Sequence, residues 1–165
     1  MNEYNIIDNF LDQDEFTKLQ DLVLGKHFPW YWNPNINDEH LGKENDTSSY
    51  FVHYCYGENT VQSYTYEDFQ PLVNKINPKA VIRLKVNCYP ATKDLQTHQP
   101  HVDFPYPHNG CIFYFNTCNG YTILKDGQKI ESVANRALFF DSSELHSSTS
   151  TTDAKARFNL NMNYF

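Results

Sequence analysis

His101-Val102-Asp103 sets an imidazole and a carboxylate two residues apart. In an extended strand residues i and i+2 project from one face, so the two side chains would point together. Alone, the pair is equally a surface contact or a turn cap. A second imidazole follows at His146, beyond the apolar run Ala137 to Phe140, and an arginine at Arg157 in the last strand-like stretch. Two imidazoles and one carboxylate on one side of an iron(II) ion leave three coordination positions open for chemistry. A planar guanidinium suits a carboxylate held by two parallel hydrogen bonds, so Arg157 would serve to anchor a dicarboxylate beside such a centre.

The stretch carrying Arg157 alternates. Arg157, Asn159, Asn161 and Asn163 share one face, and Phe158, Leu160, Met162 and Tyr164 the other. A wholly polar face also describes a strand edge bathed in water, so the asparagines alone decide nothing. Residues 81–89 alternate likewise, with Arg83, Lys85, Asn87 and Tyr89 opposite Leu84, Val86 and Cys88. One of these faces must be core. Tyr89 stands twelve residues before His101 and Tyr114 eleven after Asp103, placing both within reach of one site. A lone tyrosine is nevertheless more often packing than a ligand contact. His53, His98 and His108 are read as outside the site, with His98 exposed on its connecting segment, and Arg136 as a surface or structural ion pair.

The elements that must position these residues read as follows. Asp12 followed by Glu15 has capping-box spacing, and Phe16, Leu19, Leu22 and Val23 recur at helical intervals up to Gly25, which predicts an amphipathic helix over 13–24. A second helix is predicted over 66–76, capped by Thr65, with Pro71 in its first turns and Phe69, Leu72, Val73 and Ile76 as its buried stripe. After Asn77-Pro78 the chain falls into short period-two stretches at 81–89, 111–116, 120–124, 129–133, 137–141 and 157–165, with another at 49–56. Turns fall at Asp126-Gly127 and Asn135-Arg136, and Ser147 to Thr152 reads as a loop. Two helices followed by seven or eight strands predict an α+β, mainly β fold. The expected form is a jelly roll, or double-stranded β-helix, backed by two N-terminal helices. Residues 27–60 set Trp30, Tyr31, Trp32, Tyr50, Phe51, Tyr54 and Tyr56 around a polar stretch, 33–49, which is a candidate substrate lid. Core packing is the plainer role for Trp30 and Phe51.

Composition narrows the classes. The 165 residues carry 20 acidic and 13 basic side chains, a formal charge of -7 and 40% hydrophobic residues, which fits one domain over 1–165. No apolar run approaches the ~20 residues that cross a bilayer, and MNEYNIID lacks a signal-peptide pattern, so a cytoplasmic protein is expected. Cys55, Cys88, Cys111 and Cys118 form no CxxC pair and are expected as buried apolar residues, not disulfides or zinc ligands. An acidic chain with three arginines is poorly equipped for duplex DNA.

Several ordered blocks then coincide: Cys88-Tyr89-Pro90, His101-Val102-Asp103, Cys111-Ile112-Phe113-Tyr114-Phe115-Asn116, Arg136-Ala137-Leu138-Phe139-Phe140, His146, Arg157 and the terminal Tyr164-Phe165. Over about 81–165 the chain resembles the Fe(II)- and 2-oxoglutarate-dependent dioxygenases, most closely the prolyl hydroxylase branch in a compact, bacteriophage-type form. Its location would then be the host cytoplasm. The resemblance implies that His101, Asp103 and His146 hold Fe(II), that Arg157 with Tyr114 binds the distal carboxylate of 2-oxoglutarate, and that Tyr89 contacts the co-substrate near the metal. Asn87 joins them because the related nucleic-acid demethylase branch has an N-x-Y segment here. That branch carries a second arginine where this chain has Asn163, which lowers the demethylase reading. The implied reaction hydroxylates a C–H bond, of a prolyl or other amino-acid residue, with dioxygen as oxidant, release of succinate and CO2, and ascorbate as reductant. The implied partner is a protein, peptide or free amino acid, not a nucleic acid or a membrane. A non-catalytic jelly-roll binding module is the alternative from another class.

Overall fold

Helix α1 (Gln13–Leu24) forms as its periodicity predicts, burying Phe16, Leu19 and Val23. In the computed structural model, which describes residues 4–34 and 49–165, Asp12 stands at its N-cap without a side-chain bond. The Asp12 carbonyl accepts from Phe16 N at 2.9 Å instead. Residues 35–48, which hold most of the expected lid, lie outside the described residues. The second helix comes in two pieces, a 3-10 turn over Tyr64–Phe69 and α2 (Gln70–Ile76). Pro71 has no N–H to offer the Glu67 carbonyl and its ring crowds that carbonyl, which disfavours an unbroken α-helix over 66–76 by about 3 kcal/mol. Gln70 N bonds Glu67 in the tighter pattern. The cap is Ser63, whose Oγ accepts from Thr65 N at 3.2 Å, and Thr65 is buried with its hydroxyl 2.9 Å from His53 Nε2. Asn77 ends α2 in the left-handed conformation, φ 54.

The described residues also form eleven strands: β1 (Tyr4–Ile7), β2 (Tyr31–Asn33), β3 (Tyr50–Gly57), β4 (Thr60–Val61), β5 (Val81–Pro90), β6 (Asn109–Tyr114), β7 (Cys118–Ile123), β8 (Lys129–Ser132), β9 (Arg136–Asp141), β10 (Ser147–Ser148) and β11 (Ala156–Tyr164). The larger sheet runs β1-β9-β6-β11-β5-β3-β2 with β4 on β3, and the smaller runs β10-β7-β8. All pairings among the described residues are antiparallel. This is the expected jelly roll backed by two helices. Ser147-Ser148 is not loop, as the sequence suggested, but pairs with Ile123 and Thr122. Isolated bridges Thr97–Thr149 and His101–His146 extend that sheet toward the chemistry-bearing residues.

The strand β11 is central, paired to β5 on one side and β6 on the other, so its polar face is not a solvated edge. Leu160 and Met162 join Leu84, Val86, Cys111 and Phe113 in a core that meets Phe16, Leu19, Val23, Leu72 and Val73 of the helices. At about 25 cal/mol per Å² of apolar surface, this layer supplies most of the drive to assemble. Trp30 packs against Phe28 and Phe158, the core role that was the plainer expectation. The opposite face of β11, Arg157, Asn159, Asn161 and Asn163, is also buried, but against the space between the sheets. All four cysteines are buried free thiols, and burial pushes Cys55 and Cys88 up to about 12. Among the described residues no helix is long and apolar enough to cross a membrane.

Candidate metal centre

His101 and His146 are brought together by backbone pairing. Each N–H donates to the other's carbonyl at 2.9 Å, which sets the two rings on one face with centroids 4.6 Å apart. Asp103 follows two residues on, and one donor atom from each of the three lies within 4.8 Å of the others. His146 Nδ1 is 2.9 Å from the Glu144 carbonyl, which only accepts, so Nδ1 carries the proton and Nε2 is left with its lone pair. Nε2 lies 3.7 Å from Asp103 Oδ2, and His101 Nε2 lies 4.0 Å from Asp103 Oδ1.

Burial pushes both imidazoles down, His101 to about 4, and the neighbouring His146 adds to the effect on His101. They are therefore neutral at pH 7, the form that binds a metal. Burial works to raise the Asp103 carboxyl, but Arg83, with Lys85 and, at acid pH where it is protonated, His146, holds it well below the ordinary carboxylate range. Its carboxylate accepts from Arg83, Ser142, Asn161 and Asn163. His108 is buried behind them, its Nε2 3.2 Å from Asn163 Nδ2. Two neutral imidazoles and an ionised carboxylate on one face fit a non-haem iron(II) ion.

Arg157 lies further along the same polar face and is 0% exposed. Its Nε donates to Ser132 Oγ at 2.6 Å, Nη2 to Thr122 Oγ1 at 2.9 Å and Nη1 to the Thr149 carbonyl at 3.3 Å. These are neutral oxygens, and among the described residues no carboxylate pairs with it. A β-carbon on Gly120 would come 2.6 Å from Arg157 Cδ and 2.5 Å from the Ser150 carbonyl, so the glycine admits the arginine. The guanidinium carbon stands 5.5 Å from the Tyr114 ring and 5.7 Å from that of Tyr89. Tyr114 OH is 2.8 Å from the Thr122 hydroxyl that Arg157 also meets. Burial pushes both phenols up, so they remain protonated. A buried cation ringed by neutral oxygens and ring faces suits the carboxylate of a small acid.

The structure thus brings His101, Asp103 and His146 into one cluster and sets Arg157, Tyr114 and Tyr89 in another on the same face. Asn87 lies between them, opposite Asn159 in register. Its Nδ2 donates to Asn159 Oδ1 at 3.0 Å and its own Oδ1 is buried without a partner. His98, expected on the surface, is buried instead, with Nδ1 2.8 Å from Ser148 Oγ and its ring 5.2 Å from Tyr89. The bridge Thr97–Thr149 pulls its segment onto the smaller sheet. Arg136 is an ion pair with Asp8, at 2.6 and 3.0 Å, as expected. The residues that the sequence did not single out are those around Asp103 and Arg157, namely Arg83, Ser142, Thr122 and Ser132. Only Arg83 carried a signal, its period-two place with Asn87 and Tyr89.

No family profile matches the chain, and no curated protein matches it. Among solved structures it is similar to a prolyl hydroxylase from Trichoplax adhaerens in complex with a hypoxia inducible factor peptide fragment, with TM-score 0.70 and 16% identity over 100% of this chain and 84% of that one. It is also similar to a 2OG-Fe(II) oxygenase family oxidoreductase from Burkholderia pseudomallei, with TM-score 0.69 and 12% identity over 98% and 84% of the two chains. A third, the non-haem alpha-ketoglutarate-dependent epimerase of nogalamycin biosynthesis, gives TM-score 0.67 and 14% identity over 99% and 77%. The fold of this chain is therefore the double-stranded β-helix that these 2OG-Fe(II) oxygenases share.

Proposed function

We propose that this chain is an Fe(II)- and 2-oxoglutarate-dependent oxygenase that hydroxylates a C–H bond, of a prolyl or other amino-acid residue. The observation that carries it is the pairing, on one buried face, of a two-histidine, one-carboxylate donor set with a buried arginine that no described carboxylate neutralises. His101, Asp103 and His146 hold the iron. Arg157, with Tyr114 and Thr122 beside it, holds the distal carboxylate of 2-oxoglutarate. When bound, the two would, with dioxygen as oxidant, supply the chemistry that puts one oxygen atom into succinate, with loss of CO2, and the other into the substrate C–H bond. The chain's own residues orient and exclude water: Tyr89, stacked 5.4 Å on Tyr50, closes one wall, and the buried asparagines line another. Asn87 would serve the co-substrate with its amide and that of Asn159 turned together, so that Asn159 Nδ2 donates to Asn87 Oδ1 and Asn87 Nδ2 faces the site. The peptide bound by the Trichoplax adhaerens enzyme supports a peptidyl substrate.

The test is succinate formation from 2-oxoglutarate with Fe(II) and ascorbate, against panels of proline-containing peptides, free amino acids and methylated oligonucleotides. A peptide or amino acid that accelerates succinate formation and gains one oxygen is the expected result. Stimulation by oligonucleotides alone would move the chain to the demethylase reading, and no succinate from protein that binds both metal and 2-oxoglutarate would favour a binding module.

A further inference from the structure

The carboxylate of Asp103 is shared unequally. Its Oδ2 takes three donors, Ser142 Oγ at 2.5 Å, Asn163 Nδ2 at 2.9 Å and Asn161 Nδ2 at 3.1 Å, whereas among the described residues Oδ1 takes only Arg83 Nη2, at 2.5 Å. A carboxylate oxygen offers about two lone-pair sites, so Oδ2 is filled and Oδ1 keeps room for a cation. Arg83 is itself fixed, with Nε donating to Asn163 Oδ1 at 3.1 Å and the guanidinium 4.9 Å over the Phe104 ring. Its side chain is 15% exposed and that of Asp103 2%, so water screens the pair little. Resting on the metal-centre reading above, we propose that Arg83 is a positioning residue that makes Asp103 a one-oxygen ligand through Oδ1. The same charge holds down the affinity of the centre for a divalent cation until the 2-oxoglutarate dianion joins it.

Two effects of Arg83 oppose one another. Fixing the carboxylate favours a metal by a few-fold, the entropy of roughly one side-chain rotamer. A positive charge on the same oxygen repels a divalent cation and draws electron density from the donor. At the effective dielectric of a half-buried site, like charges a few ångström apart cost about an order of magnitude or more in binding. Repulsion therefore outweighs positioning. Lys85, opposite Asn161 in register, adds positive charge that bears on all three ligands. A dianion reverses that balance, so metal and 2-oxoglutarate bind with positive and reciprocal coupling.

Equilibrium binding of Mn(II) to the full chain, followed by EPR with and without 2-oxoglutarate under nitrogen, tests this without turnover. The variants are Arg83→Gln, which keeps a donor for Oδ1 and loses the charge, and Arg83→Lys, which keeps the charge. In the wild type 2-oxoglutarate is expected to tighten Mn(II) about tenfold. Arg83→Gln should bind Mn(II) alone about threefold or more tighter than wild type, with weaker coupling, and Arg83→Lys should stay within about twofold. Equal or weaker binding by Arg83→Gln overturns the proposal, as does a wild type without coupling. If Arg83→Gln folds only with Mn(II) present, chelator competition gives its affinity against the same threshold, and failure to fold even then also overturns it. A wild type that binds no Mn(II), or a His146→Ala variant that binds it equally well, strikes the metal centre itself.

Discussion

Asp103 and Arg157 are both buried charges on the face between the two sheets, yet their surroundings differ. Asp103 already has an arginine, a serine and two asparagines on its carboxylate. Among the described residues Arg157 has only neutral oxygens and aromatic faces. The first charge is compensated before any ligand arrives, and the second is not. A buried charge without a partner costs stability, so the chain tolerates Arg157 at the expense of its own fold. The compensated end is already satisfied within the chain, and under the proposed function the uncompensated end is the one a carboxylate would fill.

The largest expected effect breaks the compensated end. His146→Ala or Asp103→Ala should weaken Mn(II) binding by more than about 100-fold, beyond what losing an outer partner costs, and abolish succinate formation. Retained affinity in either variant, measured by EPR, would remove that residue from the metal. Next comes the contrast in stability. Arg83→Met leaves the Asp103 carboxylate buried without its cation and should cost roughly 3 kcal/mol in urea unfolding of the metal-free protein. Arg157→Met should cost clearly less, since it removes an unpaired charge and two of its three acceptors are hydroxyls that can turn to other partners, while raising the dissociation constant of 2-oxoglutarate about 30-fold. Equal destabilisation by both would show that the two charges are compensated alike.

The smallest effect is in protons. Both imidazoles are held below their ordinary values and Asp103 below its own. Metal binding at pH 7 should then release fewer than about 0.2 protons, where two unperturbed histidines would release about 0.5. Calorimetry in two buffers of different ionisation enthalpy reads the number. The same shift fixes the acid behaviour of the metal-free protein. Unfolded His101 takes a proton below about 6.5 and folded His101 only near about 4, so its contribution to stability falls away as pH drops through that window.

Much of this was legible in the sequence because period-two alternation marks strands wherever one face is apolar. Phe158, Leu160, Met162 and Tyr164 declared β11, and the ordered residues His101, Asp103, His146 and Arg157 declared what it must face. The polar face of β11 was ambiguous, since a water-bathed edge and a lined interior have the same residues. Only pairing on both sides, to β5 and β6, separates them. The partners of Asp103 were hidden for a related reason. Arg83 meets Asn163 through register across 80 residues, and Ser142 meets Asp103 across 39, distances at which local spacing is silent. His98 was misplaced because one backbone bridge, Thr97–Thr149, turns an exposed-looking connection inward. At α2 the proline was visible, and its missing N–H explains the 3-10 turn.

The most direct test of the pairing of metal centre and arginine anchor is an anaerobic titration of the apoprotein with Fe(II) and 2-oxoglutarate, watching for the visible charge-transfer band of the chelate. The band should appear in the wild type, vanish in His146→Ala, and need far more 2-oxoglutarate in Arg157→Ala. No band from well-folded wild-type protein would contradict the reading and leave a jelly roll without this chemistry.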